Sequence, residues 1–352
     1  VQLKNAGSGL VRGAAHPPIA PGPALSYNRL VELATLVVML AWSFKAGAPA
    51  DAPPLVAGDR VYYAAADKKL YALRLEDGAK LWSRRFKAPL PVTPLCDGDV
   101  VYQYVPYPEG RVYALRSSDG KVLWKSAAGP GVVSAAAGGG LVAVGRGDAA
   151  VFYDGSSGHE RGRIPFADDV VGAAHAGGER FVVWTGAGRV ALCAPAGAKP
   201  AWEVESGPGG VSAAVAAGRV YVASFAGAVA CRDLETGDEV WRRDTGEPLA
   251  DPALNLSGDA LLVAGRRSVW ALSAADGEPR WSVEPGGNVV GATPYREGAF
   301  VACEDGRVLF ASAAGAAVVA TLDGYAAGAP LAARDSLLIT DGKKSLHCYN
   351  IE

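Results

Sequence analysis

The chain of 352 residues is poor in the residues that carry covalent and metal chemistry. Its five cysteines, Cys96, Cys193, Cys231, Cys303 and Cys348, include no adjacent pair and no C-x-x-C spacing, so neither a disulfide framework nor a zinc site is legible. The four histidines, His16, His159, His175 and His347, are scattered. No Ser, His and Asp arrangement stands out, and the run Gly138-Gly139-Gly140 has the context of a tight turn rather than of a phosphate loop. A formal net charge of -2 does not favour nucleic-acid binding, and a half-hydrophobic composition does not favour disorder. Long apolar runs are missing too. The strongest, Leu30 to Ala41, contains Glu32 and is shorter than the roughly 20 residues that span a bilayer. No helical periodicity is sustained after residue 42.

What the sequence does have is a beat. Trp42, Trp82, Trp124, Trp202, Trp241 and Trp281 follow a period of about 40 residues, with hydrophobic stand-ins expected near Ile164 and Val319. The clearest copy runs from Pro54 to Trp82. It has a Gly58-Asp59 turn, the strand Val61-Tyr62-Tyr63, a turn at Asp67-Lys68-Lys69, the strand Leu70-Tyr71-Ala72-Leu73, a turn at Asp77-Gly78, then Leu81-Trp82. The next copy repeats this order with Gly98, Val100-Val101-Tyr102, Arg111 to Leu115, Asp119-Gly120 and Leu123-Trp124. Short apolar runs split by Gly, Asp and Asn are hairpin signals, so each copy reads as a four-stranded antiparallel meander.

Seven copies end at or near Trp82, Trp124, Ile164, Trp202, Trp241, Trp281 and Val319, and an eighth, Leu331 to Glu352, stops after its third strand. Trp42-Ser43-Phe44 is fourth-strand text with no strands before it. Pairing it beside Ser345 to Ile351 closes a ring and removes exposed sheet edges, whereas an open solenoid leaves both the orphan strand and the short last copy unexplained. The expected fold is all-β: an eight-bladed β-propeller of four-stranded antiparallel blades, the last closed by the N-terminal strand. Residues 1–41 are expected to be an arm or linker with a short apolar segment, and 42–352 the propeller. That segment reads as a short packed helix or strand, with an export or membrane element and the remnant of a larger protein as alternatives.

A sharper pattern lies between third and fourth strands. Cys231, Asp233, Thr236, Gly237 and Trp241 follow small-x-Asp-x-x-Thr-Gly-x-x-x-Trp, and Ala72-Gly78-Trp82, Ala114-Gly120-Trp124 and Ala271-Gly277-Trp281 keep its small, Gly and Trp positions. Glycine permits the positive φ of a tight turn, the small residue leaves room for a ring, and the indole packs between sheets. This resembles the tryptophan-docking repeat of the quinoprotein-like (PQQ-like) eight-bladed propellers, and in style it is similar to the BamB lipoproteins of outer-membrane assembly. The resemblance implies a bacterial periplasmic or cell-envelope scaffold that docks a protein partner through loops on one face. It also carries two departures. No lipid-acceptor cysteine precedes Cys96, and the segment Pro165 to Asp169 replaces the Leu- and Arg-rich linker between third and fourth blades.

Function is then sought on the surface. No catalytic residue, metal ligand or cofactor site is assigned. The quinone enzymes of the family use adjacent linked cysteines and a calcium site, and neither is recognisable here. The cysteines are expected to be buried free thiols, with Cys231 and Cys348 in the small place of Ala72 and Ala114. Turns between second and third strands carry Lys68-Lys69, Arg111, Arg146, Arg189, Arg266-Arg267, Arg307 and Lys343-Lys344, while turns between third and fourth strands carry Glu76-Asp77, Asp119, Glu160, Glu235, Asp238-Glu239, Asp276 and Glu278. One basic and one acidic rim are expected, and such fields steer partners. The enlarged loop Tyr102 to Gly110 adds aromatic contact residues. The candidate partner-binding residues are Lys68, Lys69, Tyr104, Tyr107, Arg266, Arg267, Lys343 and Lys344. The expectation is a non-enzymatic, monomeric scaffold for protein partners, with membrane association through a partner or the N-terminal segment. A PQQ- or metal-dependent oxidoreductase and a ligand-sensing domain of a larger membrane or kinase protein are the other readings.

Overall fold

A computed structural model describes residues 36–50, 52–129, 134–207 and 211–352. Most of the expected N-terminal arm lies outside the described residues. Every described regular element is a strand, and the strands form eight four-stranded antiparallel sheets. Seven are consecutive meanders: 55–85, 95–127, 135–165, 170–205, 211–244, 249–283 and 289–321, here blades 1 to 7. First strands meet first strands in successive blades, so they line the axis and the fourth strands form the outer wall.

Blade 8 is composite. Leu331–Ala333, Ser336–Thr340 and Ser345–Ile351 supply three strands, and Val38–Lys45 supplies the fourth. Val38 pairs with Ile351 and Lys45 with Ser345, and Trp42 faces Cys348. The closing strand therefore starts four residues before Trp42, and Val38 to Ala41 of the apolar run form its first half. Backbone groups of Val37 and Glu352 exchange hydrogen bonds of 3.3 and 2.9 Å.

The core lies between blades, not within them. Each hydrophobic cluster joins two neighbours: one combines Tyr62, Leu70 and Trp82 of blade 1 with Val101, Tyr113 and Leu115 of blade 2, and another combines Val61, Tyr63 and Leu73 of blade 1 with Leu338, Leu346 and Cys348 of blade 8. A blade alone exposes both apolar faces, which explains why the sequence must repeat to be stable.

The tryptophans key these interfaces in one direction. Trp42 Nε1 donates to Leu75 O (2.8 Å), Trp82 to Ser117 O (2.9 Å), Trp124 to Gly155 O (2.8 Å), Trp202 to Leu234 O (2.8 Å) and Trp241 to Ala274 O (3.1 Å). Each acceptor belongs to the next blade, and Trp42 of blade 8 reaches blade 1, so docking closes the ring a second time. The indole lies flat on a glycine. A Cβ built on Gly78 would sit 2.6 Å from Trp42, and one on Gly120 2.6 Å from Trp82. Those glycines have φ of 68° and 69°, so the tight turn and the close approach both require them. A bulge at the residue before the tryptophan, as at Leu81, Leu123 and Val240, leaves that residue exposed while the indole turns inward.

Two beats lack tryptophan. In blade 3 the residue opposite Phe152 is Gly162, in the place Trp241 holds opposite Cys231. Ile164 is instead a fully buried core residue two positions on. Gly162 is obligatory because Pro195 of blade 4 closes over it where an indole would lie. In blade 7 the bulge falls at Val319, between Val318 and Ala320.

Candidate partner-binding surface

Main-chain bonds fix which turns share a face. The connector leaving a fourth strand typically bonds to the turn between second and third strands of its own blade: Phe86 N–H to Lys68 O (2.8 Å), Ala128 to Gly110 (2.8 Å), Leu322 to Gly306 (2.9 Å). The turn between third and fourth strands bonds instead to the turn between first and second, as Leu75 N–H does to Asp59 O (2.9 Å) and Ala274 to Asp259 O (2.8 Å). The two turn classes thus emerge on opposite faces.

Neither face is of one sign. On the face expected to be basic, Lys69 lies 3.7 Å from Asp67, Arg307 2.7 Å from Asp305 and Lys343 2.6 Å from Asp323, and Arg189 is shared among Asp168, Glu203 and Glu205. On the other, Arg74 pairs with Asp77, Arg116 with Asp119, and Arg280 with Asp259. Turn-to-turn pairing quenches much of the opposed field anticipated from the turn residues alone.

The candidate residues divide accordingly. Lys68, with φ of 71°, makes no ion pair among the described residues, and Arg266 and Arg267 are exposed in blade 6. Lys69 and Lys343 are paired, and Lys344 is held through its backbone N–H, 2.7 Å from Asp341 Oδ1. Tyr107 is 83% exposed. Tyr104 is not: the strand alternation turns it inward, where it is buried and its hydroxyl donates to Gly129 O at 3.0 Å.

Beside Tyr107 lies a cationic groove that the turn inventory missed. It measures about 600 Å³, lies between the outer strands of blades 1 and 2, and carries Arg84, Arg85, Lys87, Arg111 and Lys125. None of these five makes an ion pair among the described residues. The one carboxylate, Glu109, is engaged: Oε1 accepts the Lys87 N–H at 2.8 Å and Oε2 accepts the Tyr113 hydroxyl. Burial, then the Glu109 hydrogen bond, pushes the Tyr113 hydroxyl up to about 12, so it remains a donor. Phe86 and Tyr113, edge to face at 5.1 Å, form an apolar floor. The sequence signal was the run Arg84-Arg85-Phe86-Lys87, beginning two residues after the docking Trp82.

Asp341 anchors the same face in blade 8. It is 4% exposed, and its Oδ1 accepts the N–H groups of Lys343, Lys344 and Ser345 at 3.1, 2.7 and 2.6 Å, with His347 Nε2 3.3 Å from Oδ2. Burial raises its pKa, but the backbone donors of Ser345 and Lys344 and then His347 outweigh that and hold it below the usual carboxylate range. A depressed folded value gives stability that is present above the unfolded value near ~3.9 and is lost as pH falls through the folded one. Asp341→Asn is expected to cost roughly 1–3 kcal/mol at pH 7, from hydrogen bonds to a charged acceptor. The difference from the parent should shrink toward pH 3, read by urea unfolding across pH.

The quinone-and-calcium site implied by the resemblance to the quinone enzymes does not fit the donor set found among the described residues. Among the described residues no group of three His, Cys, Asp or Glu could hold a metal. Among the described residues the axial first strands carry only Asp97 and His175 as carboxylates or imidazoles. Cys193, Cys231, Cys303 and Cys348 are buried free thiols on second and third strands, and Cys96 is half-buried. Burial pushes Cys193 up to about 12 and Cys231 up to about 11, far from a reactive thiolate. Among the described residues no helix is long and apolar enough to cross a membrane.

The solved structures that share this architecture have diverged in use. The computationally designed Ika8 protein superposes with a TM-score of 0.77 at 12% identity, covering 89% of this chain and 99% of its own. BamB from Moraxella catarrhalis gives 0.73 at 16% identity, over 89% and 98%. Quinohemoprotein alcohol dehydrogenase from Comamonas testosteroni gives 0.70 at 13%, over 89% and 76%. At such identities these likenesses establish the fold alone. Curated protein sequences give no match. A family profile, by contrast, follows the repeats through residues 26–130, 108–194 and 186–352. With matches running from the segment before the closing strand to the last residue, the chain belongs to the PQQ-repeat family described as outer membrane protein assembly factor BamB.

Proposed function

We propose that this propeller is a non-catalytic scaffold of the bacterial cell envelope that holds a protein partner during outer-membrane protein assembly. The observation that carries this reading is the groove between blades 1 and 2. Elsewhere on that face many cations are neutralised by their own turns, yet here five stand together over an aromatic floor with their single carboxylate already bonded. Burying unpaired cations against a partner's carboxylates gives orientation and on-rate, while exposed Tyr107, next in sequence to the lining residue Pro108, supplies apolar contact. Family membership supports both the assembly role and a periplasmic location.

The test is a photo-crosslinking residue at position 107, with captured proteins identified from envelope fractions. An outer-membrane assembly component should be captured, and Arg85→Glu, Arg111→Glu and Lys125→Glu together should reduce the yield at least tenfold with unchanged folding. Capture that survives the triple reversal would contradict the groove. Dehydrogenase turnover on adding PQQ and calcium to purified protein would contradict the non-catalytic reading.

A further inference from the structure

Five docking tryptophans end on a carbonyl and a glycine of the next blade, but Trp281 does not. Its partner turn should be the one between the third and fourth strands of blade 7. There Ser312 pairs with Gly315, leaving Ala313 and Ala314 between them, whereas in blade 1 Leu73 pairs with Lys80 and residues 74–79 form the covering turn. The shortened turn brings no Asp-Gly over the indole. No hydrogen bond of Trp281 Nε1 is formed among the described residues, in contrast to Trp241, its neighbour one blade earlier. Trp281 instead lines a groove of about 380 Å³ with Leu262, Ala271 and Pro294, and Arg296 stands at the mouth.

The mouth carries a second departure. Arg296 adopts φ of 51° in the turn between first and second strands, where blades 1, 2 and 6 use Gly58, Gly98 and Gly258. Non-glycine residues enter that region at a cost, although Ala217 and Arg334 do so as well. The guanidinium of Arg296 lies 5.0 Å from the Tyr295 ring centre and makes no ion pair among the described residues, while Arg280 at the other side is held by Asp259 through bonds of 2.9 and 2.6 Å.

We propose that the Trp281 groove is a docking slot for a glycine turn supplied by a partner protein. The turn's carbonyl accepts the indole N–H, its glycine lies on the indole face, and an acidic residue beside the glycine faces Arg296. This is the interaction the chain makes with itself at Gly78, Gly120, Gly158, Gly237 and Gly277. A second copy is not the source, because those five turns are already covered by the preceding blade's tryptophan. The inference rests on the scaffold reading and adds a site on the opposite face from the cationic groove, so it can fail while crosslinking at position 107 succeeds.

The probe is a fluorescein-labelled, disulfide-cyclised peptide carrying residues 73–81 of this chain, followed by anisotropy with purified full-length protein. Saturable binding is expected, weakened at least tenfold by Arg296→Glu, by Trp281→Ala and by a peptide with alanine at the Gly78 position. Replacing Ala313-Ala314 with the blade 6 turn 273–278 should fill the slot, abolish binding and raise the melting temperature. Because Arg296 is a turn residue and the graft is expected to stabilise, these variants remain informative if Trp281→Ala fails to fold. Absence of binding at millimolar peptide, equal binding of the alanine peptide, or undiminished binding by Arg296→Glu or by the graft would overturn the proposal.

Discussion

Deleting residues 38–45 will unfold the propeller rather than trim it. The strand contributes Trp42, docked on Gly78 and bonded to Leu75 O, and Phe44, whose ring lies 5.0 Å from Tyr71 and 6.5 Å from Tyr63, both edge to face. Truncating a fully buried aromatic to alanine costs about 3–5 kcal/mol; Trp42 and Phe44 are partly buried and each contributes less, but the ladder from Val38–Ile351 to Lys45–Ser345 is lost with them. Two docked rings and a whole strand ladder together are a large share of the stability of an ordinary domain, about 5–15 kcal/mol. The truncated protein should lose its cooperative thermal transition, and a synthetic peptide of residues 36–46 should restore it at a concentration-dependent midpoint. A truncated chain melting within a few degrees of the parent would show that the seam between blades 8 and 1 does not depend on this strand.

The second large effect separates the docked tryptophans from one another. Trp124 is 9% exposed, its Nε1 donates to Gly155 O at 2.8 Å, and its ring rests on Gly158 and tilts against Tyr102 at 5.8 Å. Trp124→Ala removes a filled interface and leaves the Gly155 carbonyl with the Tyr102 hydroxyl alone, at 3.2 Å, so a loss of about 3–5 kcal/mol in urea unfolding is expected. Trp281→Ala should cost about half as much, because that ring already borders an open groove and makes no indole hydrogen bond among the described residues. Equal losses at the two positions would mean that the acceptor and glycine of the next blade contribute little to docking.

The contrast shows what the sequence could tell and what it could not. Ring size, strand order and the closing strand were legible because Trp, Gly and the small third-strand residue recur at fixed spacing, and each has a local reason to be there. Gly162 was not recognised as the missing beat. What dictates it is Pro195, which lies in the next blade and whose approach no spacing within blade 3 reports. Tyr104 was misread for a similar reason: loop composition suggested exposure, but the strand runs to Val105 and its alternation buries the ring. The charged rims were overdrawn because turns were read one class at a time, whereas Lys343 meets Asp323 and Arg189 meets Asp168 across connectors. The cationic groove and the Trp281 slot are both made where two blades abut, so neither has a contiguous motif. What the repeat conserves is easily read; departures such as the shortened turn at Ala313 become visible only once the regular interfaces are laid beside them.

The hydrogen bonds between Val37 and Glu352 place the two described ends of the chain side by side in blade 8. A ring joined in this way has a seam but no intrinsic first blade. The same closed object would form from circularly permuted chains that begin at another blade's fourth strand, with a short linker joining Val37 to Glu352. The position of the break is therefore free to drift, and the choice of blade 8 sets only the azimuth at which anything fused to either end must leave the ring.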